Sequence, residues 1–438
     1  MKRALIENLI HWKESENRLP LLLEGARQTG KTYLLEQFGK SFPTCHRFDF
    51  VEDSRLHQLF EGKLTPTKLL QDLAVYTGKD IQADKDLIVF DEVQQCPRAL
   101  TSLKYFAEQM PEAFVCASGS LLGISLTHEL FPVGKVQRMT LRPFSFSEFL
   151  RGTGNESLAE TIDGYEVRER IIEPIHARLW EKLKDYFVVG GMPAAINGFK
   201  QHAGTNPRKG FASARQIQES LLKDYANDIA KHSGKIKSAK ISAVFKAVPL
   251  SLARETTGVK KFVFKDVGNK NPRYTELEGP IEWLLSAGLI HKVSICEDAA
   301  PPVGARINER RFKLYLADVG LLGALVGITP DVIQRYDYGT YKGYFAENFV
   351  LQELLCAGLQ PAGWAKNTSE VEFLLEFGEN VVPVEVKSGL NAKAKSMQVF
   401  LSTYQPAAAF LLSARPVQEF SSLPNQMPMY LASYLNRL

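Results

Sequence analysis

Short apolar runs alternate with helix-like stretches through the first third of the chain. The runs "LPLLLE", "DLIVFD" and "EAFVCA" each predict a buried strand, and "KVQRMTL" predicts a further strand that ends near Leu141. Stretches such as "ALTSLKYFAEQM" place apolar residues at helical spacing, and the N-terminal "ALIENLIHW" predicts an amphipathic helix. Because strands that alternate with helices are typical of a parallel sheet, the pattern predicts an α/β fold.

Strand and helix patterns return toward the C-terminus. "GYFAENFVLQEL" predicts an amphipathic helix, "VEFLLEF" and "VVPVEVKSG" predict two consecutive strands, and "TELEGPIEWLLSAGLIHKVSI" predicts a helix that runs directly into a strand. The stretch "KQHAGTNPRKG" has no periodicity and predicts a surface loop. At 438 residues the chain exceeds what one hydrophobic core usually supports, so we expect two to four domains.

Composition narrows the class of protein. The chain is 45% hydrophobic and 23% charged, and no uncharged apolar run is long enough to span a bilayer, so we expect a globular protein that is not in a membrane. The five cysteines are scattered and never form a C-x-x-C pair. This spacing argues against a disulfide framework or a zinc site and favours a reducing, cytoplasmic location.

Positive charge is concentrated in one window. The whole chain has a formal net charge of +4, whereas residues 228–276 contain eleven Lys and Arg against four Asp and Glu, an excess of +7. A basic segment in an otherwise slightly acidic chain indicates a surface that faces a polyanion. An exposed linker explains the same composition equally well.

The strongest motif is a phosphate-binding loop. The sequence "GARQTGKT" matches G-x-x-x-x-G-K-[ST] and lies between a predicted strand and a predicted helix, which is the setting that a P-loop requires. Its glycines let backbone N–H groups face phosphate oxygens of ATP or GTP, and the following helix adds its positive end. Lys31 is expected to reach the β and γ phosphates, and Thr32 to bind Mg²⁺. The residues expected to bind the nucleotide are Gly25, Ala26, Arg27, Gln28, Thr29, Gly30, Lys31, Thr32 and Tyr33.

Acidic and hydroxyl side chains follow two other predicted strands. Asp91 and Glu92 end the run "DLIVFDE", where a buried parallel strand reaches a phosphate site. Asp91 is expected to bind Mg²⁺ and Glu92 to polarise the attacking water, which predicts hydrolysis. Ser118 and Ser120, after the next strand, are candidates for sensing the γ phosphate and aligning water. The Ser-Gly-Ser sequence is equally typical of a simple turn.

Together with these motifs, the sequences "LRPFSFSEFL", "YFVVGGMPAAI", "LYLADVGLLGAL", "GYFAENFVLQEL" and "VEFLLEFGENVVPVEVKSG" resemble a bacterial and archaeal family of AAA+ ATPases. The C-terminal half of that family is a domain of unknown function related to PD-(D/E)XK nucleases. The resemblance implies an α/β protein with an AAA+ P-loop core and a parallel sheet at residues 1–150 and a helical lid at 151–237. It further implies a winged-helix-like basic domain at 238–300 and a PD-(D/E)XK-like α/β domain at 311–438.

The resemblance also implies roles outside the P-loop. Met192 and Pro193 resemble the G-x-P motif that packs on adenine in related ATPases, and AAA+ kinship implies a homo-oligomer. Where relatives have Gly-Arg before the last strand, this chain has Gly134 and Lys135, so an arginine finger cannot be assigned there. Arg138 and Arg142 are nearby alternatives.

Winged-helix modules in AAA+ proteins either bind DNA or serve as packing and oligomerisation blocks, and both alternatives stay open. If this module binds duplex DNA, its phosphate contacts would come from Lys260, Lys261, Lys265, Lys270 and Arg273.

The sequence "VVPVEVKSG" places Glu385 and Lys387 two residues apart on a predicted strand, so their side chains share one face. Together with Glu347 on the preceding helix and Glu372 on the neighbouring strand, they resemble the PD-(D/E)XK core, in which carboxylates hold Mg²⁺ and the lysine positions the nucleophile. Glu372 stands where active nucleases nearly always have Asp. An active nuclease, a nuclease-like scaffold that binds a partner, an unrelated α/β domain and an ordinary solvated strand face all remain open.

Three functional hypotheses follow. The first is a Mg²⁺-dependent ATPase that couples nucleotide binding or hydrolysis to work on DNA. The second is a slow ATP-latched switch or scaffold, whose C-terminal domain binds a protein partner. The third is a metal-dependent nuclease gated by nucleotide.

Overall fold

The computed structural model describes residues 1–120, 131–166, 170–233, 235–253, 267, 273–389, 394–417 and 422–438. The chain divides into two compact units. The first contains Met1–Arg142 and Ser286–Gly288, and the second contains Pro143–Leu285 and Leu289–Leu438. No helix in the described ranges is both long and apolar enough to cross a bilayer.

The first unit is built on a five-stranded parallel sheet, which confirms the α/β prediction for this part of the chain. Its strands are β1 (Leu21–Glu24), β2 (Cys45–Asp49), β3 (Leu87–Asp91), β4 (Phe114–Gly119) and β5 (Gln137–Thr140), in the order β2-β3-β4-β1-β5. Its helices are α1 (Leu5–Glu14), α2 (Lys31–Gly39), α3 (Leu56–Leu59), α4 (Pro66–Thr77) and α5 (Pro97–Gln109). The pattern of apolar runs did not predict β2, because three of the five residues in "CHRFD", His46, Arg47 and Asp49, are polar.

Alternating side chains of this sheet fill two separate cores. Successive residues of a strand point to opposite faces, so each strand contributes to both layers. One core includes Leu22, Ile88, Phe90, Val115 and Ala117, and the other includes Leu21, Leu23, Leu87, Val89 and Cys116. The central strands β1, β3 and β4 are therefore covered on both sides, as buried parallel strands are.

The second unit contains a seven-stranded mixed sheet. Its strands are β6 (Ile290–Cys296), β7 (Ile307–Leu316), β8 (Ala362–Lys366), β9 (Ser369–Phe377), β10 (Asn380–Val386), β11 (Phe410–Ser413) and β12 (Asn425–Pro428), in the order β12-β11-β10-β9-β8-β6-β7. β9 and β10 correspond to the two consecutive strands predicted there, and they pair in antiparallel orientation.

Eleven α-helices in the described residues belong to this second part of the chain. They are α6 (Phe146–Gly152), α7 (Glu156–Asp163), α8 (Glu173–Val189), α9 (Pro193–Ala203), α10 (Pro207–Ser233), α11 (Lys235–Ala253), α12 (Tyr274–Ser286), α13 (Val319–Leu325), α14 (Pro330–Gln334), α15 (Tyr341–Cys356) and α16 (Lys395–Tyr404). Short 3₁₀ segments add Val93–Gln95 in the first unit, and Val303–Arg306 and Met429–Arg437 in the second.

The surface loop predicted for residues 200–210 is wrong. α9 continues to Ala203 and α10 begins at Pro207, which leaves only a short turn between two helices. Proline is favoured at the first position of a helix, and the side-chain oxygen of Asn206 accepts a hydrogen bond from the N–H of Lys209 at 3.1 Å. Exposed polar residues hid the helical periodicity here.

One sheet joins two segments that the sequence separated. β6 ends the predicted winged-helix segment, yet it pairs with β7 on one side and with β8 on the other. The predicted boundary between residues 300 and 311 therefore does not separate two sheets. The division of this unit into a lid, a winged-helix domain and a PD-(D/E)XK-like domain stays a prediction.

Helix α15 is buried on all sides, not amphipathic as predicted. Every residue from Tyr344 to Leu355 is buried, and the amide and carboxyl side chains among them find partners inside the unit. Asn348 exchanges two hydrogen bonds with the backbone of Leu316, at 2.9 and 3.1 Å. Glu353 accepts one from the N–H of Phe146 at 2.8 Å. A buried polar group is tolerated when it is paired in this way.

The buried Glu353 makes stability depend on pH. Burial raises the pKa of Glu353 from 4.5 to about 8, with a smaller contribution from the charges of Glu148 and Asp163. Since the folded-state pKa is raised, the stabilisation is complete below about pH 4.5 and is lost as the pH rises through about 8. Glu353→Gln keeps a hydrogen-bond acceptor but carries no charge. We therefore expect the free energy of unfolding of this variant, measured from urea unfolding curves between about pH 4.5 and 8, to fall less with rising pH than that of the wild type. Glu160→Gln, at an exposed site on α7, should leave the pH dependence of the free energy of unfolding unchanged. The same pH dependence in Glu353→Gln as in the wild type would contradict a raised pKa for Glu353.

Candidate functional site

The carboxyl ends of the parallel strands bring three groups of predicted site residues to one edge of the first sheet. β1 and β4 pair with Leu23 opposite Ser118, and β3 and β4 pair with Phe90 opposite Ala117. The loop after β1, the acids after β3 and the serines of β4 therefore meet where ligands bind in open parallel sheets.

The loop after β1 has a backbone that requires glycine at two positions. Gly25 has φ +154°, and a Cβ atom there would lie 2.2 Å from the backbone oxygen of Leu141. Gly30 has φ +94° and immediately precedes α2, which begins at Lys31. The hydroxyl of Thr29 donates to the carbonyl of Ala26 at 2.9 Å and closes the turn. The loop is therefore a P-loop in conformation as well as in sequence.

Lys31 is buried, and its ammonium is held by the loop itself. Nζ donates to the carbonyl oxygens of Gly25 and Ala26, both at 3.0 Å. Burial lowers the pKa of Lys31 to about 8, although the nearby charges of Glu92 and Asp91 act to raise it. A buried ammonium that carbonyls alone hold gains strongly from an anionic partner, which is what a phosphate would supply.

Asp91 is buried at the end of β3 and accepts hydrogen bonds from three neighbours. The hydroxyl of Ser118 and the N–H of Glu92 donate to its Oδ1, the latter at 3.1 Å, and Arg47 Nη1 donates to Oδ2 at 3.1 Å. Ser118 thus contacts the predicted metal-binding acid directly. Arg47 lies on β2 and also contacts Asp49 at 3.0 Å.

Glu92 occupies a strained backbone position beside a residue that the sequence did not single out. Its φ is +55°, which is uncommon for a residue other than glycine and is often found at functional sites. Gln94 Nε2 donates to the Glu92 carboxylate and lies 3.4 Å from the hydroxyl of Ser120. Gln94 therefore connects both predicted catalytic groups, Glu92 and Ser120.

Arg47 and Gln94 were missed by sequence reasoning. Gln94 lies two residues after Glu92, so its proximity was a usable signal. The signal for Arg47 was weaker, because it is only a positively charged residue on a short strand. Its contact with Asp91 depends on the pairing of β2 with β3, which places Asp49 opposite Asp91.

The remaining predicted nucleotide contacts differ in exposure. Arg27, Gln28 and Tyr33 are exposed and Thr32 is half-buried. Met192 and Pro193 belong to the second unit, where Met192 is buried and Pro193 begins α9. Their contact with adenine stays a prediction.

Two of the three positively charged residues near β5, Lys135 and Arg138, are engaged in ion pairs, whereas Arg142 follows the strand and its role stays a prediction. Lys135 lies 3.1 Å from Glu108, and Arg138 forms a two-pronged pair with Glu24 at 2.6 and 3.1 Å. A role for Arg138 toward another subunit would require it to leave this pair.

The predicted DNA-contacting lysines, Lys260, Lys261, Lys265 and Lys270, lie outside the described residues. Arg273 is described and is exposed immediately before α12. Within the same basic window, Lys240 lies 3.4 Å from Glu276.

The four C-terminal candidates do meet in the second unit, so Glu385 and Lys387 are not a solvated strand face. Glu347 on α15, Glu372 on β9 and Glu385 on β10 are all buried. Lys387 Nζ lies 2.6 Å from Glu385 and 3.8 Å from Glu372. The N–H of Val386 donates to Glu372 Oε2 at 3.0 Å.

A second lysine, Lys313 on β7, enters the same cluster and was not predicted. It is 2% exposed, its Nζ lies 3.2 Å from Glu347 Oε2, and it forms an ion pair with Glu370. Tyr315, on the same face of β7, donates to Glu347 Oε2 at 3.0 Å. We call the set Lys313, Glu347, Glu370, Glu372, Glu385 and Lys387 the acidic cluster.

Burial and charge pairing have opposite effects on the pKa values of Lys313 and Glu372 in the acidic cluster. Burial by itself lowers the pKa of Lys313, but the charges of Glu347 and Glu370 outweigh it and raise that pKa well above its usual value. Burial raises the pKa of Glu372 to about 7, while the charge of Lys387 opposes the shift. In the part of the chain that the structure describes, no group of three or more acidic, His or Cys side chains has an arrangement that could hold a metal ion.

Family models cover most of the chain in three parts. Residues 17–150 match the AAA domain. Residues 180–332 and 342–426 match two domains of unknown function, DUF8612 and DUF4143. A search of curated proteins gave no match. With the P-loop geometry, the first match shows that the N-terminal part is an AAA-type P-loop ATPase domain and that the chain binds ATP.

Solved structures give weak likenesses. A Walker-type ATPase of Pyrococcus abyssi is 15% identical over 74% of this chain and 95% of its own, with a TM-score of 0.48. The ORC1 protein of Aeropyrum pernix, solved in complex with DNA, is 14% identical over 74% of this chain and 90% of its own, with a TM-score of 0.29. PCH-2 of C. elegans is 12% identical over 49% of this chain and 67% of its own, with a TM-score of 0.30.

Gly25→Ala should abolish ATP binding. The added Cβ would meet the Leu141 oxygen at 2.2 Å and the backbone angle disfavours any side chain, so the loop must change shape. Titration of a fluorescent ATP analogue would measure this loss. Gly62→Ala is the matched control, because its Cβ meets nothing within 4 Å, and it should bind as the wild type does. Unchanged affinity in Gly25→Ala would show that this loop does not bind the phosphates.

Proposed function

We propose that the AAA-type domain makes this protein a Mg²⁺-dependent ATPase that couples nucleotide binding or hydrolysis to work on DNA. The observation that carries the ATPase part is the meeting of Lys31, Asp91 and Glu92 at one sheet edge, beside a loop whose glycines let phosphates approach the backbone. Hydrolysis needs a phosphate cradle, an acid for the metal and an acid for water, and these residues provide all three.

The residues that would hold Mg²⁺ fit it chemically. The half-buried hydroxyl of Thr32 and the Asp91 carboxylate are oxygen ligands, which Mg²⁺ prefers. When bound, Mg²⁺ would neutralise charge on the phosphate oxygens. Lys31 would exchange the carbonyls of Gly25 and Ala26 for the β and γ phosphates.

Glu92 would accept the proton of the attacking water, and Ser120 would help to align that water beside the γ phosphate. Ser118 would act through its hydrogen bond to Asp91, so it holds the acid in place and does not itself react. The hydrogen bond that Gln94 donates to Glu92 Oε2 would make this carboxylate a weaker base.

A second candidate, a slow ATP-latched switch, is favoured by the same contacts. Gln94 engages Glu92 and Arg47 engages Asp91, so both acids have partners that nucleotide and metal must displace. Such a protein would hold ATP for long periods, and its C-terminal domain would bind a protein partner. Homo-oligomerisation belongs to both candidates, through AAA+ kinship.

The DNA part rests on the basic window. Its excess of +7 over residues 228–276 is the type of charge that binds phosphate backbones. The candidate contacts are Lys260, Lys261, Lys265, Lys270 and Arg273. The further alternative, a nucleotide-gated nuclease, would need the acidic cluster to hold a metal.

Turnover with and without duplex DNA separates these candidates. We expect Mg²⁺-dependent ATP hydrolysis that DNA stimulates, that rising salt reduces, and that Lys31→Ala and Glu92→Gln abolish because the phosphate and water contacts are lost. Lys40→Ala, an exposed lysine at the end of α2, should behave as the wild type does. Slow turnover that ignores DNA would support the latch, and equal turnover in Lys31→Ala would refute the ATPase.

Gln94→Ala tests whether Gln94 restrains Glu92. Removing a hydrogen bond worth roughly 0.5–1.5 kcal/mol should raise basal turnover by about two- to tenfold, because Glu92 is released toward water. A steady-state phosphate-release assay at saturating ATP would measure it, with Gln95→Ala, at an exposed neighbouring site, as the control. A fall in turnover would mean that Gln94 positions Glu92 for catalysis.

A further inference from the structure

Two carboxylates stand side by side at the sheet edge that carries the P-loop. The pairing of β2 with β3 places Asp49 opposite Asp91. Residues paired across neighbouring strands project to the same face of a sheet, so these two like charges repel one another. A cation between them removes the repulsion, and Arg47 on β2 supplies it.

Arg47 bridges the two carboxylates with a single nitrogen. Its Nη1 donates to Asp49 Oδ2 at 3.0 Å and to Asp91 Oδ2 at 3.1 Å. Its Nη2 donates to Glu52, an exposed acid just after β2, at 3.0 Å. Burial acts to lower the pKa of Arg47, yet the hydrogen bond to Asp91 and the charges of all three acids outweigh it and raise that pKa. Of the three acids, only Asp91 has a role in the proposed hydrolysis.

The position of Arg47 opposes a metal ion at Asp91. The hydroxyl of Ser118 and the N–H of Glu92 donate to Asp91 Oδ1. Among the described residues, Oδ2 has Arg47 as its only partner. A guanidinium beside a carboxylate neutralises the charge that would attract Mg²⁺, and it also repels the ion itself. Metal binding at Asp91 is therefore stronger when Arg47 gives up this contact.

Arg47 can leave Asp91 and remain paired. Its contacts with Asp49 and Glu52 do not involve Asp91, so two acids still balance its charge. Asp49 is a fixed acceptor for this purpose, because the N–H groups of Val51 and Glu52 donate to its Oδ1 at 2.8 and 2.9 Å. The other oxygen of Asp49 is the one that Arg47 contacts.

We infer that Arg47 regulates the metal affinity of the nucleotide centre: it is the resting counter-ion of Asp91 and withdraws onto Asp49 and Glu52 when Mg²⁺ binds. Arg47 acts through Asp91, so it is a positioning residue. Asp49 and Glu52, which have no part in the proposed hydrolysis, then help to set how tightly the metal is held. This inference rests on the proposed function, because it assigns Mg²⁺ to Asp91.

The test measures how much Mg²⁺ adds to nucleotide binding. Every protein is the full chain with Glu92→Gln, so that bound nucleotide is not hydrolysed. A fluorescent ATP analogue is titrated in EDTA and in excess Mg²⁺, and the dissociation constant in EDTA divided by that in Mg²⁺ gives the metal ratio. We expect Arg47→Gln to raise the metal ratio by about three- to tenfold, because a partly exposed ion pair no longer competes with the metal.

A neighbouring arginine provides the matched control. Arg55 is exposed and pairs with Asp53, so Arg55→Gln removes a nearby positive charge that has no contact with Asp91. We expect its metal ratio to equal that of the reference chain, which carries Glu92→Gln alone. Binding in EDTA should change little in Arg47→Gln, because Arg47 acts on the metal and not on the phosphates.

Asp49→Asn tests the alternative partner of Arg47. Arg47 then depends more on Asp91, so the metal ratio should fall by about twofold or more. In a chain that also carries Arg47→Gln, Asp49→Asn should have no further effect, since Asp49 acts only through Arg47. Glu61→Gln, at an exposed acid of the same unit, should leave the metal ratio unchanged.

Two results would overturn the inference alone. One is an unchanged or lower metal ratio in Arg47→Gln, and the other is a fall with Asp49→Asn that persists when Arg47 is already replaced. If Arg47→Gln does not fold, Arg47→Lys takes its place, because lysine keeps a charge but lacks the fork that bridges the acids; its metal ratio should also rise, and an unchanged ratio overturns the inference. A reference chain that binds the analogue equally in EDTA and Mg²⁺ would refute the proposed Mg²⁺ dependence, and the inference with it.

Discussion

An ionised side chain that leaves water needs an opposite charge beside it, and this constraint organises both charged centres of the protein. In the first unit the buried Asp91 is paired with Arg47 and hydrogen-bonded by Ser118. In the second unit Lys313 lies among the glutamates of the acidic cluster. Where pairing is incomplete, as at Lys31, the lowered pKa marks a group that a phosphate would stabilise.

The nucleotide centre depends on sheet geometry as much as on its motif. Parallel strands end at one edge, so residues far apart in sequence become neighbours there: the P-loop after β1, the acids after β3 and the serines of β4. Arg47 and Gln94 contact Asp91 and Glu92, the two acids to which we assign roles in the proposed hydrolysis. Because these contacts would restrain the two acids, the site is compatible with both of the proposed functions, fast turnover and slow latching.

In the second unit, helix α15 carries polar side chains although it is buried on every face. Its buried amide and carboxyl side chains meet fixed partners, such as the backbone of Leu316 for Asn348 and the N–H of Phe146 for Glu353. Such pairing ties the helix to β7 and α6 and leaves Glu353 with a raised pKa. The same principle places Lys313 beside Glu347, so the acidic cluster is continuous with the packing of the core.

The sequence alone determined what is local: the P-loop, the strands marked by apolar runs, and the candidate acids at their ends. A P-loop can be recognised from the sequence because its residues are contiguous and its glycines adopt backbone angles that other residues disfavour. Only the tertiary structure decided that Arg47 meets Asp91, that Lys313 enters the acidic cluster, and that β6 joins the C-terminal sheet. Those contacts join elements that are distant in sequence, and hydrophobic periodicity does not indicate which distant elements will meet. Burial of α15 was hidden for the same reason, since its polar residues look solvated until their partners are known.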